Sequence, residues 1–543
     1  MRIGGVIAAA FVAALALARP VPPARGAPEV LDLPLFVEEP GAADRLGEGV
    51  RAGVPLPASA GVFDASRLFL LGRGPSGAFD RQVPLSAQTT SRWGGRPGDR
   101  HCPARWVLLD FPATVARSGR TEFRLRYDRD DSREGGSGRE IAGAALVAED
   151  DRRILVDTGR IRFQVTKDRF GLFEAAEFEG SGSGDLAGPP FDICIVDGDG
   201  IEYRASRAVP VEVAVEESVP LAAVIVVRGR FRDEEGRELL GGFAAYTLRL
   251  HLFAGSPEVR LVFTLENNGF YGREAEWSAS GGVSRWLSFT RLELVLRTGL
   301  TGVVRADIEK GFEDVALTTG GFRLRQEHRI ERVPDDLDDE SRNFVFTVET
   351  GRGEPFRGSR SRGAFRVSRG ERAVSVAVRH FFENWPAALG FRDGSIRFEP
   401  WPAEGRWPPG TGDGPYVFEG GRWKTNEFVV DFAGGDPAVL ARRIARPLFA
   451  RASAEWCAAS GALGPMAPLS FPIANSASAR ALGRLNRLQA VVVDVSEADP
   501  QPLGVAEPAI PPISLLTQRE SRGNAFKPAP YDVDLYGSMN FGD

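Results

Sequence analysis

Cysteine, histidine and lysine are all scarce in this chain of 543 residues. The three cysteines, Cys102, Cys194 and Cys457, lie far apart and form no C-x-x-C pair. That excludes a disulfide framework and a zinc site of the usual Cys/His spacing. Only His101, His251, His328 and His380 can serve as ordinary imidazole bases. Of 67 basic residues four are lysine (Lys167, Lys310, Lys424 and Lys527), so arginine carries nearly all the positive charge. Codon bias in a GC-rich genome is the plain reading of that imbalance; a functional demand for planar guanidinium forks is the other. Basic charge is not in excess either: the net charge is −6, which argues against a nucleic-acid partner. The sequence contains no G-x-S-x-G, no P-loop and no H-E-x-x-H. No cofactor and no metal is expected.

Hydrophobic residues at 43% and charged residues at 26% are those of a globular chain, long enough for about three or four domains. Arg2 followed by the apolar run Ile3–Leu17 reads as a secretory signal peptide, with small-x-small cleavage patterns at Ala16–Ala18 and Ala24–Gly26. The signal would end near residue 26. No later stretch approaches 18 uncharged apolar residues, so no membrane span is expected after cleavage. The mature protein is expected to be secreted or periplasmic.

Most of the chain alternates with period two, the signature of strands with one dry face. Ile161, Phe163 and Val165 alternate with Arg162, Gln164 and Thr166; Tyr246, Leu248, Leu250 and Leu252 alternate with Thr247, Arg249 and His251. Leu261, Phe263 and Leu265, then Leu292, Leu294 and Leu296, then Val374, Val376 and Val378 repeat the pattern. The fold class is therefore mainly β, built of antiparallel sheets stacked in pairs or closed into a barrel. The charged, Gly- and Ser-rich stretch 128–139 separates a first β domain, 28–145, from a larger one, 150–435. Asp436-Pro437 then supplies an N-cap and a first-turn proline for a short helix with Val439, Leu440 and Ile444 on one face. The remainder, 436–543, is a short helical and irregular segment. Phe163, Leu248, Leu250, Leu261, Phe263, Leu292, Leu294 and Val376 are the expected core.

A series of segments carries a family resemblance. They are GVPLP (Gly53–Pro57), RQVPL (Arg81–Leu85), ARWVLLDF (Ala104–Phe111), RHFFENWPAAL (Arg379–Leu389), FEPWPAEG (Phe398–Gly405), GRWKTNEF (Gly421–Phe428) and RPLFARASAEWCAASGALGP (Arg446–Pro465). In this order they resemble the exo-rhamnogalacturonan lyases (YetA-like, similar to polysaccharide lyase family 26). The resemblance implies an N-terminal RIFT-type β barrel, a large β-sandwich, and the start of a C-terminal helical toroid whose remainder this chain lacks. It also implies β-elimination at a uronic acid, with a polysaccharide or oligosaccharide containing uronic acid as partner.

Such a reaction needs a base for the proton next to the carboxylate and a positive group to hold the charge that develops. Arg105 is expected to grip the carboxylate with two parallel hydrogen bonds, and Trp106 to stack on a sugar. The resemblance places the cleft where helical and β domains meet, which brings in Tyr536, Asn540 and Asp543 near the C-terminus as substrate-binding candidates. The base is unassigned. His101 reads as a loop residue, His251 as the polar face of a strand, His328 as a charged edge, and His380 as a core or strand-end position. Trp385, Trp401, Trp407 and Trp423 suit sugar platforms or, more plainly, sandwich core. Lys424 suits an ion pair with Glu427 or another acid. Asp197–Gly200 (DGDG) fails as a calcium loop and reads as a hairpin turn; DDLDDE (Asp335–Glu340) reads as a solvated loop. Three functions fit: an exo-acting lyase, a non-catalytic carbohydrate-binding protein, and a structural β protein of the cell envelope.

Overall fold

The computed structural model describes residues 31–39, 43–128, 146–178, 190–269, 286–309, 314–328, 344–404, 415–418 and 420–464. Residues 1–30, where the signal segment is expected, residues 129–145, Trp407, and Tyr536, Asn540 and Asp543 lie outside the described residues. The architecture is mainly β, with antiparallel pairing throughout the described ladders. No described helix is long and apolar enough to cross a membrane.

The N-terminal unit holds two sheets. One runs, in spatial order, Ala450–Arg451, Asp32–Glu38, Arg120–Tyr127, Leu68–Arg73 and Phe79–Val83; the other runs Arg45–Pro55, Ala104–Val115 and Ser86–Arg92. They share a core that includes Leu33, Val50, Leu109, Phe111 and Phe123, with Phe111 edge-on to Phe123 at 5.2 Å. The expected closed barrel is corrected here. Among the described residues no ladder joins the two sheets. At the crossing from Val83 to Ser86, Pro84 has no N–H with which to continue a ladder.

Two nine-stranded sheets form the sandwich. The first large sheet contains Phe191–Asp197, Leu287–Arg297, Ser395–Trp401 and Ala387–Arg392 at its centre. The second runs Glu212–Val219, Ala222–Arg230, Ala244–Phe253, Glu258–Asn267, Arg422–Asp431, Arg372–Val378, Ala364–Arg369, Val304–Glu309 and Asp314–Thr319. Alternation explains the layering. Leu248 lies opposite Phe263 and Leu250 opposite Leu261, all pointing between the sheets. The eight expected core residues are all buried. Burying each such side chain contributes about 1.5–3 kcal/mol. A four-stranded sheet, 147–178, continues the same core.

Helix Pro437–Ala445 starts where the capping chemistry indicates. The Asp436 carboxylate accepts from the N–H of Ala438 (2.8 Å) and Val439 (3.3 Å). Its packing face is Leu440, Ala441 and Ile444, set on Ala364, Ala377 and Val429 of the second large sheet; Val439 turns aside and is half-buried. The chain then returns to the N-terminal unit. Leu448 and Ala450 enter its core, Ala450–Arg451 pairs with Val37 and Phe36, and Trp456 Nε1 donates to the Pro55 carbonyl at 2.7 Å.

Candidate functional site

The outward face of the second large sheet, where it meets the N-terminal unit, gathers a cluster of charged and polar side chains. Register sets its layout. Val224, His251, Arg260 and Val429 form one row across four strands; Val226, Arg249, Val262 and Glu427 form the next; Arg228, Thr247, Thr264 and Thr425 the third; Arg230, Ala245, Glu266 and Trp423 the fourth. Rows repeat every second residue because side chains alternate between faces.

A bulge completes the cluster. Pairing in Glu212–Val219 slips between Val215 and Glu217, so two consecutive glutamates reach the outer side. Glu216 takes Arg249 (Nε to Oε2, 2.6 Å; Nη2 to Oε1, 2.9 Å). Glu217 takes Arg51 of the N-terminal unit (Nη1 to Oε2, 2.7 Å; Nη2 to Oε1, 2.6 Å) and Gln88 (2.6 Å). Arg51 also donates from Nε to Asp110 Oδ1 at 2.7 Å. Its guanidinium therefore joins a carboxylate of each unit. Burial works against the Arg51 charge, but the hydrogen bonds it donates to Asp110 and Glu217, with their negative charge, outweigh it and raise the pKa. Burial pushes the Asp110 carboxyl up, with Arg51 opposing.

Arg443 makes a second joint of the same kind. It donates from Nε to Glu48 (2.8 Å) in the N-terminal unit and from Nη1 to Glu258 (2.6 Å) in the sandwich. Further along the face, Arg260 (2.8 Å) and Arg379 (3.1 Å) both bind Glu427. His251 stands among these groups. Its pKa is pushed down to about 4, first by burial and then by Arg260 and Arg51, with Glu427 opposing. The ring is therefore neutral near pH 7 and can accept a proton or a hydrogen bond.

The other expected residues fall elsewhere. Arg105 turns its fork onto the Ala462 carbonyl (Nε 3.0 Å, Nη2 2.5 Å) and lies 5.2 Å from the Trp93 ring centre. Trp106 shares a sheet face with Asp110 and is half-buried, its ring over Gly53. His101 is exposed in its loop, and His328 ends its strand opposite Phe344. His380 is 45% exposed by side chain, with Nδ1 3.6 Å from Glu383, and takes a left-handed φ of 53° in the turn after its strand. Lys424 is buried and donates to Asn384 Oδ1 at 2.7 Å, while Glu427 points to the opposite face with its two arginines. That contact joins the RHFFENWP and GRWKTNEF segments in space. Trp401 is core, Trp385 half-buried and Trp423 56% exposed. Asp197 Oδ1 accepts from the N–H of Asp199 and Ile201, closing a hairpin turn.

His251 lies on the polar face of its strand, as its alternation indicates, whereas the Arg51 joint went unrecognised in the sequence. The one local signal was the break of alternation at Glu216-Glu217 in VEVAVEESV.

No family model matches the chain, and no curated protein matches it in sequence. Solved structures similar to it include a glycosyl hydrolase family 38 protein from Enterococcus faecalis, at 11% identity and TM-score 0.40, covering 78% of this chain and 47% of that one. An α-mannosidase from Enterococcus faecalis V583 is similar at 11% identity and TM-score 0.39, covering 78% and 46%. A putative aldose 1-epimerase from Klebsiella pneumoniae is similar at 9% identity and TM-score 0.27, covering 54% and 82%. The chain spans about half the length of the two Enterococcus proteins. The resemblance to exo-rhamnogalacturonan lyases is corrected: no family model, of a lyase or otherwise, matches the chain, and neither Enterococcus protein is named as a lyase.

Proposed function

We propose that this chain is an exported glycan-binding protein whose ligand lies on the outer face of the second large sheet, beside the N-terminal unit. One observation carries the reading: Arg260 and Arg379, both partly exposed, share the single carboxylate of Glu427. Two guanidinium groups on one carboxylate keep N–H groups for a further acceptor, and a guanidinium fork grips a carboxylate with two parallel hydrogen bonds. That supports a uronic acid within the ligand. The Arg249–Glu216 pair next to it offers donors and acceptors to sugar hydroxyls. Export is supported by Arg2 and the run Ile3–Leu17.

Calorimetry with uronate-containing and neutral oligosaccharides tests the reading. The parent protein is expected to bind a uronate-containing member. The double variant Arg260→Gln, Arg379→Gln is expected to bind it at least tenfold more weakly while unfolding at a similar temperature. No binding to any member of the panel by the parent refutes the proposal. N-terminal sequencing of exported protein is expected to start near Arg19 or Ala27; an intact Met1 on soluble cytoplasmic protein refutes export.

A further inference from the structure

On the premise that this face binds glycan, we propose that Trp423 is the stacking platform of a separate, neutral pyranose subsite at its far end. Trp423, Thr425 and Glu427 alternate with the inward Lys424, Asn426 and Phe428, so all three point outward. Trp423 is more than half exposed, and its indole offers an apolar face that water solvates poorly.

The groups around it suit sugar hydroxyls. Glu266 lies directly across from Trp423 in the ladder. Its Oε1 accepts from Thr247 Oγ1 at 2.6 Å, and a carboxylate has several acceptor positions to offer beyond that one. Thr264 and Thr425 share one hydrogen bond at 2.8 Å between their hydroxyls. Two hydroxyls that share one bond keep one hydrogen to donate elsewhere. Directly opposite residues in an antiparallel pair lie about 4.5–5.5 Å apart and same-face neighbours along a strand about 7 Å. An apolar ring, an acceptor and a donor thus stand within the reach of one pyranose. A sugar with C–H bonds gathered on one side would lay that side on the indole and turn its edge hydroxyls to Glu266 and Thr425. Glu266 repels a carboxylate, so this subsite takes an uncharged residue. The Arg260–Glu427–Arg379 group, about 13 Å away along the strand, takes the acidic one.

Calorimetry on Trp423→Ala and Trp423→Tyr, with an oligosaccharide that the parent binds, tests the assignment. Iodide quenching of parent and Trp423→Tyr isolates the emission of Trp423 from that of the other tryptophans. We expect at least tenfold weaker binding in Trp423→Ala, binding within about threefold in Trp423→Tyr, and ligand protection of the Trp423 emission. Unchanged affinity in Trp423→Ala, or emission that is equally quenched or already shielded with and without ligand, overturns the assignment. If the arginine double variant loses binding while Trp423→Ala keeps it, this subsite alone falls. If the parent binds no glycan, both readings fall.

Discussion

Replacing Arg105 by alanine is expected to loosen the return of the chain onto the N-terminal unit. The Arg105 fork places two N–H groups on the carbonyl of Ala462, and Ala462 is buried. Trp93, within cation–π distance of the same guanidinium, donates its own Nε1 to the Leu56 carbonyl at 3.0 Å. Alanine would leave a buried acceptor without its charged donor, which costs about 1–3 kcal/mol, and would remove a cation–π contact of about 0.5–1 kcal/mol. Together these come to roughly 1.5–4 kcal/mol. At about 2–4 °C per kcal/mol, the midpoint should fall by at least about 3 °C. Limited proteolysis should cut earlier within 446–464 in the variant. Arg105→Lys keeps the charge but not the fork and should recover part of the loss. An unchanged midpoint combined with lost glycan binding would refute this reasoning and return Arg105 to the ligand.

Three further outcomes are expected. Leu250→Ala and Phe263→Ala should each cost about 2–5 kcal/mol in denaturant titration, because both side chains are fully buried between the sheets; a loss below about 1 kcal/mol would contradict the packing. Gly363→Ala should be severely destabilising, since Gly363 has a φ of +67° and a Cβ there would come within 2.2–2.6 Å of Phe381. Gly370→Ala (φ +60°, nothing within 4 Å) should cost only the left-handed penalty of about 1–2 kcal/mol, so equal effects would refute the steric argument. His251 takes up a proton near pH 6.5 when unfolded but only near 4 when folded. The unfolded state therefore binds more protons in that window, and stability should fall as pH drops through it, by up to about 3 kcal/mol. Asp110, Glu258 and Glu399, all raised by burial, act in the opposite sense, so the readout is the difference in slope between the parent and His251→Gln; identical slopes would refute it.

The legible parts of this fold are those written locally. Period-two alternation placed Leu248, Leu250, Leu261 and Phe263 inside, and Asp436-Pro437 marked a helix start because capping involves only the next three residues. The site is not local. Arg51 reaches Glu217 across 166 residues and Arg249 reaches Glu216 across 33, so no spacing along the chain announces either pair. The two-residue strand Ala450–Arg451 is too short to show a period, and its partner is Asp32–Glu38 at the other end of the described chain.

The two tryptophans of the FEPWP and GRWKTNEF segments show how register decides between core and surface. By simple alternation with Ile396 and Phe398, which point inward, Trp401 belongs on the outer face. A register shift between Leu292 and Leu294 pairs Leu292 with Trp401 but Leu294 with Phe398. The extra residue turns Trp401 inward, edge-on to Phe289 at 5.4 Å and 6.2 Å from Phe418. The strand Arg422–Asp431 has no such shift along its ten paired positions with Glu258–Asn267. Alternation there runs unbroken from Phe428 back to Trp423 and leaves the indole outside. Two tryptophan-bearing segments therefore give one core residue and one surface residue. The difference lies in a single bulge formed with a strand more than a hundred residues earlier, which neither segment contains.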